Sequence, residues 1–197
     1  MHSLLIRILR IFPDYFEIAR ECLSTGSSRQ LEVVHAVIFR KDKILFALRA
    51  HLRGWELPGG GLLPGESEET ALIREVKEET GLEVTIERKV GSYRRTGLVP
   101  HKASVFRCRV DSGLMTPSEE TPHLAWFRLQ ELPSTLFPWF RSELVDALAN
   151  YEEEVNRIES QGLKVVMAAI WIDLAMRFSG DRAGGVVPVE ESILHEP

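Results

Sequence analysis

The sequence predicts an α/β fold, and two observations carry that prediction. Five stretches rich in β-branched and aromatic residues have the length of strands: Leu31 to Phe39, Ile44 to Leu48, Glu83 to Tyr93, Lys102 to Val110 and Leu124 to Phe127. Between the second and third lies an amphipathic helix with a recognisable cap at each end. The chain of 197 residues has room for one domain with a well-buried core, plus appendages. Its net charge of −5 argues against broad electrostatic binding to nucleic acid. The two cysteines, Cys22 and Cys108, lack metal-ligand spacing and read as buried thiols of a reducing compartment, with a single disulfide left open.

Residues 1–29 form a predicted helical arm and linker. Leu4, Leu5, Ile8, Leu9 and Phe12 make an apolar stripe broken by Arg7 and Arg10, and Pro13 starts a second amphipathic piece. The charges break any signal-peptide core. The arm packs on its own domain, on a twin subunit or, as a basic amphipathic helix, on a membrane surface. Thr25 to Arg29 reads as the linker.

The first two strands form a hairpin about Lys41-Asp42-Lys43. Arg49, His51 and Arg53 follow. They read either as a solvated loop or as arginines whose forks match phosphate oxygens, which makes Arg49 and Arg53 candidate substrate-binding residues.

Next comes a stretch dense in turn residues. Trp55, Leu57 and Pro58 run into Gly59, Gly60 and Gly61, and Gly65 precedes Glu66. The helix starts at Ser67, a suitable N-cap, with Glu68 and Glu69 at the positive end of its dipole. It ends at Gly81, which permits a left-handed exit. At about 100° per residue, Glu75, Glu78 and Glu79 share one arc, with Arg74 on its edge. Leu72, Val76 and Thr80 share a packing arc. Three carboxylates at this spacing repel one another. They read as a solvated acidic face or, since a tight loop brings backbone carbonyls and Glu66 close, as hard oxygens around Mg²⁺ or Mn²⁺.

At these residues the chain resembles the Nudix hydrolases. From Gly60 the pattern is five residues, Glu66, seven residues, Arg74-Glu75-Val76, one residue, Glu78-Glu79, one residue, Gly81-Leu82. Every fixed position of that family's signature is matched, nine in a window of 23 residues, and the likeness extends from about Val33 to Leu132. The resemblance implies an α/β/α sandwich with a mixed sheet, here with helical extensions at both ends. It implies divalent ions held by Glu75, Glu78 and Glu79, supported by Glu66 and a carbonyl at Gly59 or Gly60. It also implies that Arg74 pairs with a carboxylate of the cluster and fixes its orientation. Such ions collect the phosphate oxygens and lower the pKa of water. Glu78 is the first choice for general base, because it is central on the arc. Glu120 is the second, since relatives often supply an extra carboxylate a few positions before a Trp-Phe such as Trp126-Phe127; Glu119 could take its place.

Glu83 to Tyr93 and Lys102 to Val110 are joined by a predicted loop, Arg94 to His101, that either reads a base or sugar or is a plain hairpin. His101 and His123 lack the paired spacing of a zinc site. Phe140 to Ile158 is predicted as one packing helix with an acidic outer face. Leu163 to Phe178 is apolar nearly all round but too short to span a bilayer. It is expected to bury against the N-terminal arm or in a homodimer interface. Residues 30–137 are thus the expected core, 138–179 C-terminal helices and 180–197 a tail.

The function expected from these readings is metal-dependent hydrolysis of a nucleoside diphosphate derivative in the cytoplasm. ADP-ribose is modestly preferred, because Tyr93 to Pro100 loosely resembles the proline-bearing loop of ADP-ribose pyrophosphatases, with the proline displaced. The alternatives are a housecleaning triphosphatase, a Nudix-fold module that binds nucleotides without cleaving them, and a membrane-surface hydrolase of a lipid-linked diphosphate.

Overall fold

A computed structural model of the chain describes residues 31–97, 100–149, 151 and 153–179. The expected arm, linker and tail lie outside the described residues. The elements are β1 (Leu31–Arg40), β2 (Lys43–Leu48), β3 (Trp55–Glu56), β4 (Gly59–Gly61), α1 (Glu68–Thr80), β5 (Leu82–Gly97), β6 (His101–Gly113), β7 (His123–Arg128), α2 (Phe140–Leu148), β8 (Val155–Gln161) and α3 (Leu163–Ser179).

The strands form one mixed sheet of order β3-β2-β1-β6-β5-β8, with β4 on β1 and β7 on β2. β1 runs parallel to β6, and β5 parallel to β8; the other pairings are antiparallel. β1 and β2 pair only beside their turn, Phe39 with Ile44 and Arg40 with Lys43. They then part. β4 takes the free edge of β1 at Val33, Val34 and His35, and β3 takes that of β2 at Ala47 and Leu48. The stretch from Trp55 to Gly61 therefore fills the gap between two diverging strands, which places the glycine turn inside the sheet.

Residue alternation sorts the strands between two faces. Val34, Ala36, Ile38, Leu45 and Ala47 pack under Ala71, Leu72 and Val76 of α1. Val37, Ile44, Phe46, Leu48 and Tyr93 pack on the opposite face with Phe140, Leu144 and Ala147 of α2 and Ala169 and Met176 of α3. The result is the expected α/β/α sandwich.

Two predicted elements are corrected. Phe140 to Ile158 is not one helix: α2 stops at Leu148, the backbone turns extended at Ala149, and Val155 to Gln161 is an edge strand. The parallel ladder that β5 offers from Gly91 to Gly97 outweighs the weak local preference of a stretch with only Val155 and Ile158 apolar. The predicted loop Arg94 to His101 is also shorter. β5 continues to Gly97 and β6 begins at His101, so Arg94 and Arg95 are strand residues.

α3 leaves Leu163, Met167, Trp171 and Phe178 exposed. Among the described residues no helix is long and apolar enough to cross a membrane.

Candidate active site

The helix that carries the acidic residues is fixed at both ends and along one side. Ser67 Oγ accepts a hydrogen bond from the Thr70 amide at 3.2 Å, and Gly81, at φ 72°, donates its amide to the Lys77 carbonyl at 2.9 Å. Glu68 accepts from Lys89 Nζ at 2.7 Å and Lys102 Nζ at 2.9 Å, which ties the first turn to β5 and β6. Burial alone would raise the Glu68 carboxyl, but these bonds outweigh it and hold the group down at about 2.

The predicted carboxylates form two groups that share Glu75. Arg74 gathers the first with its planar fork. Its Nε and Nη2 donate to the two oxygens of Glu66 at 3.0 and 2.9 Å, and Nη1 donates to Glu75 at 2.8 Å and Glu78 at 3.2 Å. Nη2 also donates to the Gly61 carbonyl at 3.0 Å. The expected pairing of Arg74 with the cluster is present, and one guanidinium serves three acids. Its bond, with the Leu63 amide, holds the Glu66 carboxyl below its ordinary range. Glu78 is the most open of the three, with its side chain 60% exposed.

The second group lies against the glycine turn. Glu79 is buried and accepts from the Gly59 amide at 2.9 Å. Glu75 is half-buried beside Gly60, where an added Cβ would fall 2.5 Å from its carboxyl carbon. Only glycine leaves that space. The close approach puts the Glu75 carboxylate against the turn backbone.

Glu56 belongs to this group and is missed by the sequence reading. It is buried in β3, 8% exposed, opposite Ala47. Burial raises its carboxyl; Arg49, whose Nε lies 3.6 Å from it, opposes the rise, and Glu120 adds to it. Burial also lifts Glu79, to about 8, with the charges of Glu56 and Glu75 adding to the rise. The signal that finds Glu56 is alternation: Trp55 and Leu57 point to one core, so the residue between them points to the other face, towards α1.

The other predicted residues surround this centre. Arg49 is half exposed and stands beside Glu56. Glu120 is exposed. Its carbonyl accepts from the Ala50 amide at 2.9 Å, and its charge is felt at Glu56. Thr121 Oγ1 donates to the Glu79 carbonyl at 2.9 Å, which anchors that loop to the end of α1. Arg53 donates its backbone amide to Asp173 of α3 at 2.7 Å. Cys108 is a free buried thiol, pushed up to about 12 by burial, and lies away from this chemistry.

Among the described residues no three acidic, histidine or cysteine side chains converge closely enough to hold a metal as they stand. Arg74 and the Gly59 amide each draw carboxylates to themselves. The donor set nevertheless fits a hard cation, since it consists of carboxylates and turn carbonyls around a glycine-lined space.

A family profile described as the NUDIX domain matches residues 29–148. Over 145 residues, 73% of the chain and 93% of the relative, it is 32% identical to a putative 8-oxo-dGTP diphosphatase of Bacillus subtilis. Over 118 residues, 58% of the chain and 75% of the relative, it is 38% identical to a MutT-like protein of Streptomyces ambofaciens. The crystal structure of an ADP-ribose pyrophosphatase from Streptococcus suis superposes with a TM-score of 0.55 at 27% identity, over 66% of this chain and all (100%) of that one. The profile takes in β1 to β7 and α2 as well as the acidic helix, so the chain belongs to the Nudix hydrolases.

Proposed function

We propose that this Nudix hydrolase cleaves the diphosphate linkage of a nucleoside diphosphate derivative, such as ADP-ribose or a nucleotide sugar, with Mg²⁺ or Mn²⁺. The observation that carries the reading is the excess of acid at the glycine turn. Glu56, Glu66, Glu75, Glu78 and Glu79 gather there around Arg49 and Arg74. Such crowding is costly in itself and is offset by a divalent cation.

Glu75, Glu79, Glu78 and the Gly60 carbonyl would hold the cation, with Glu66 in support. When bound, it supplies the positive charge that a diphosphate needs and the Lewis acidity that activates water. The chain's own residues do the remainder. Arg74 fixes the directions of Glu66, Glu75 and Glu78. Glu78, open to solvent, takes the proton of the attacking water, and Glu120 is the second candidate for that role. Arg49 and Arg53 face phosphate oxygens.

A second reading is favoured by the relatives named as MutT-like and as an 8-oxo-dGTP diphosphatase: pyrophosphate release from nucleoside triphosphates. A relative from Methanocaldococcus jannaschii, 34% identical over 53% of this chain and 65% of its own length, is named ADP-ribose pyrophosphatase. A nucleotide library assayed with Mg²⁺ and Mn²⁺ separates the two. Nucleoside monophosphate plus a phosphorylated second product from ADP-ribose or a nucleotide sugar supports the first. Turnover confined to triphosphates, with pyrophosphate released, establishes the second. No turnover of any diphosphate or triphosphate contradicts both.

A further inference from the structure

α3 lies beyond the residues matched by the family profile, yet it reaches into the loop that carries Arg49 and Arg53. It does so with a buried charge. Asp173 is 0% exposed in the middle of a helix that is otherwise largely apolar. A buried carboxylate is costly unless it is paired and hydrogen-bonded. Arg177, one turn on, donates Nε to both Asp173 oxygens at 2.8 Å. Asp173 Oδ1 also accepts the Arg53 amide at 2.7 Å, and Arg177 Nη2 donates to the His51 carbonyl. Two successive turns of α3 thus hold the backbone of residues 51–53.

The same loop is held on its other side. The Ala50 amide donates to the Glu120 carbonyl at 2.9 Å, and the Arg49 amide to the Gly54 carbonyl at 3.3 Å. Between these two anchorages stands Arg49, 3.6 Å from Glu56, and its charge opposes the rise that burial imposes on the carboxyls of Glu56 and Glu79. The helix itself is anchored independently, through Ala169, Ile172 and Met176 against the core. Packing of α3 does not require a carboxylate at 173; grip on the loop does.

We propose that Asp173 is a positioning residue: with Arg177 it fixes the 49–54 loop so that Arg49 stands beside the acidic centre and meets the substrate's phosphate oxygens. The inference rests on the reading of this centre as a phosphoanhydride-cleaving site. Substrate affinity is then set in part by an element outside the family's common core.

The test uses the full chain with Mg²⁺, ADP-ribose and dGTP as probes, and the variants Asp173→Ala, Arg177→Gln and Arg49→Ala. Asp173→Ala raises KM about tenfold and leaves kcat within about threefold, because a displaced binding group costs ground-state and transition-state binding alike. Adding it to Arg49→Ala gives little further rise, since both remove one interaction. Amide exchange of Arg53 quickens in Asp173→Ala, while the amides of α1 stay protected. Arg177→Gln, which keeps a polar partner for Asp173, shows the same pattern more weakly and serves where Asp173→Ala fails to fold. An unchanged KM in a folded variant, or additive effects with Arg49→Ala, overturns the proposal alone. If the wild-type chain turns over neither probe and none of the wider library, the catalytic reading falls and the proposal falls with it.

Discussion

The two faces of the sheet treat acidic residues in opposite ways. On the α2 and α3 side each buried acid has its own cation. Glu143 takes Arg95, Asp146 takes Arg157 at 2.6 Å through both oxygens, and Asp173 takes Arg177. Tyr93 and His35 complete that layer, donating to Asp146 at 2.8 Å and lying 3.0 Å from Glu143. On the α1 side, five carboxylates gather around Arg49 and Arg74. The difference teaches how to tell architecture from chemistry. Acids matched one to one lock elements together, whereas acids in excess are prepared for a positive ligand.

Removing an acid of this five-membered cluster should therefore damage activity and spare the fold. Glu78→Gln is expected to lower kcat by about 10²–10⁴-fold while circular dichroism and the melting curve stay those of the wild type. Near wild-type turnover with Mg²⁺ on every diphosphate tested would remove the role assigned to Glu78.

On the other face the same kind of change should do the reverse. Glu143→Gln leaves the fully buried Arg95 with only the more distant Glu159 carboxylate, 3.7 Å from its Nε, and is expected to cost about 3 kcal/mol in urea unfolding. Unchanged stability would show that the one-to-one pairs are not what holds α2 to the sheet.

Much of the site is legible in the sequence because its signals are local. The caps at Ser67 and Gly81, the spacing of Glu75, Glu78 and Glu79, and the glycines before them all act within a few residues of one another. The strands around the core are legible by alternation. What is not legible depends on distant partners. β8 has only Val155 and Ile158 to declare itself, and takes its form from the edge of β5. Arg95 reads as a loop residue until Glu143, 48 positions away, is seen to bury it. Glu56 sits in a strand of two residues, where the apolar Trp55 and Leu57 on either side are the one local sign of its face. Asp173 and Arg177 look like interruptions of an apolar helix until the 49–54 loop is placed against them.

A finer contrast concerns pH. The Glu79 carboxyl is raised to about 8 in the folded chain, mainly by burial. Folding thus favours its protonated form. Stability is full below the unfolded carboxylate range and falls as pH rises through about 8. Glu79→Gln lacks that titration. With EDTA present, its melting temperature should exceed the wild type's by a margin that widens between pH 5 and about 8 and corresponds to about 1–2 kcal/mol. A margin that is constant with pH would contradict the burial argument.

The smallest effect belongs to Glu68, held down at about 2 by the bonds from Lys89 and Lys102, which outweigh its burial. A depressed carboxyl contributes stability above its unfolded value and loses it as pH falls towards about 2. Glu68→Gln should cost about 1 kcal/mol at neutral pH and flatten the acid limb of the unfolding profile. An unaltered acid limb would show that these two lysines do not stabilise the start of α1.

Metal binding tests the central claim most directly. Mn²⁺ titrated into the full chain and into a Glu75→Gln, Glu79→Gln double variant, followed by the loss of the free-ion electron paramagnetic resonance signal, reads the acidic centre without any substrate. The wild type should bind Mn²⁺, and the double variant should bind it at least about 30-fold more weakly while melting no earlier. Equal binding by both chains would place the cation elsewhere and contradict the account.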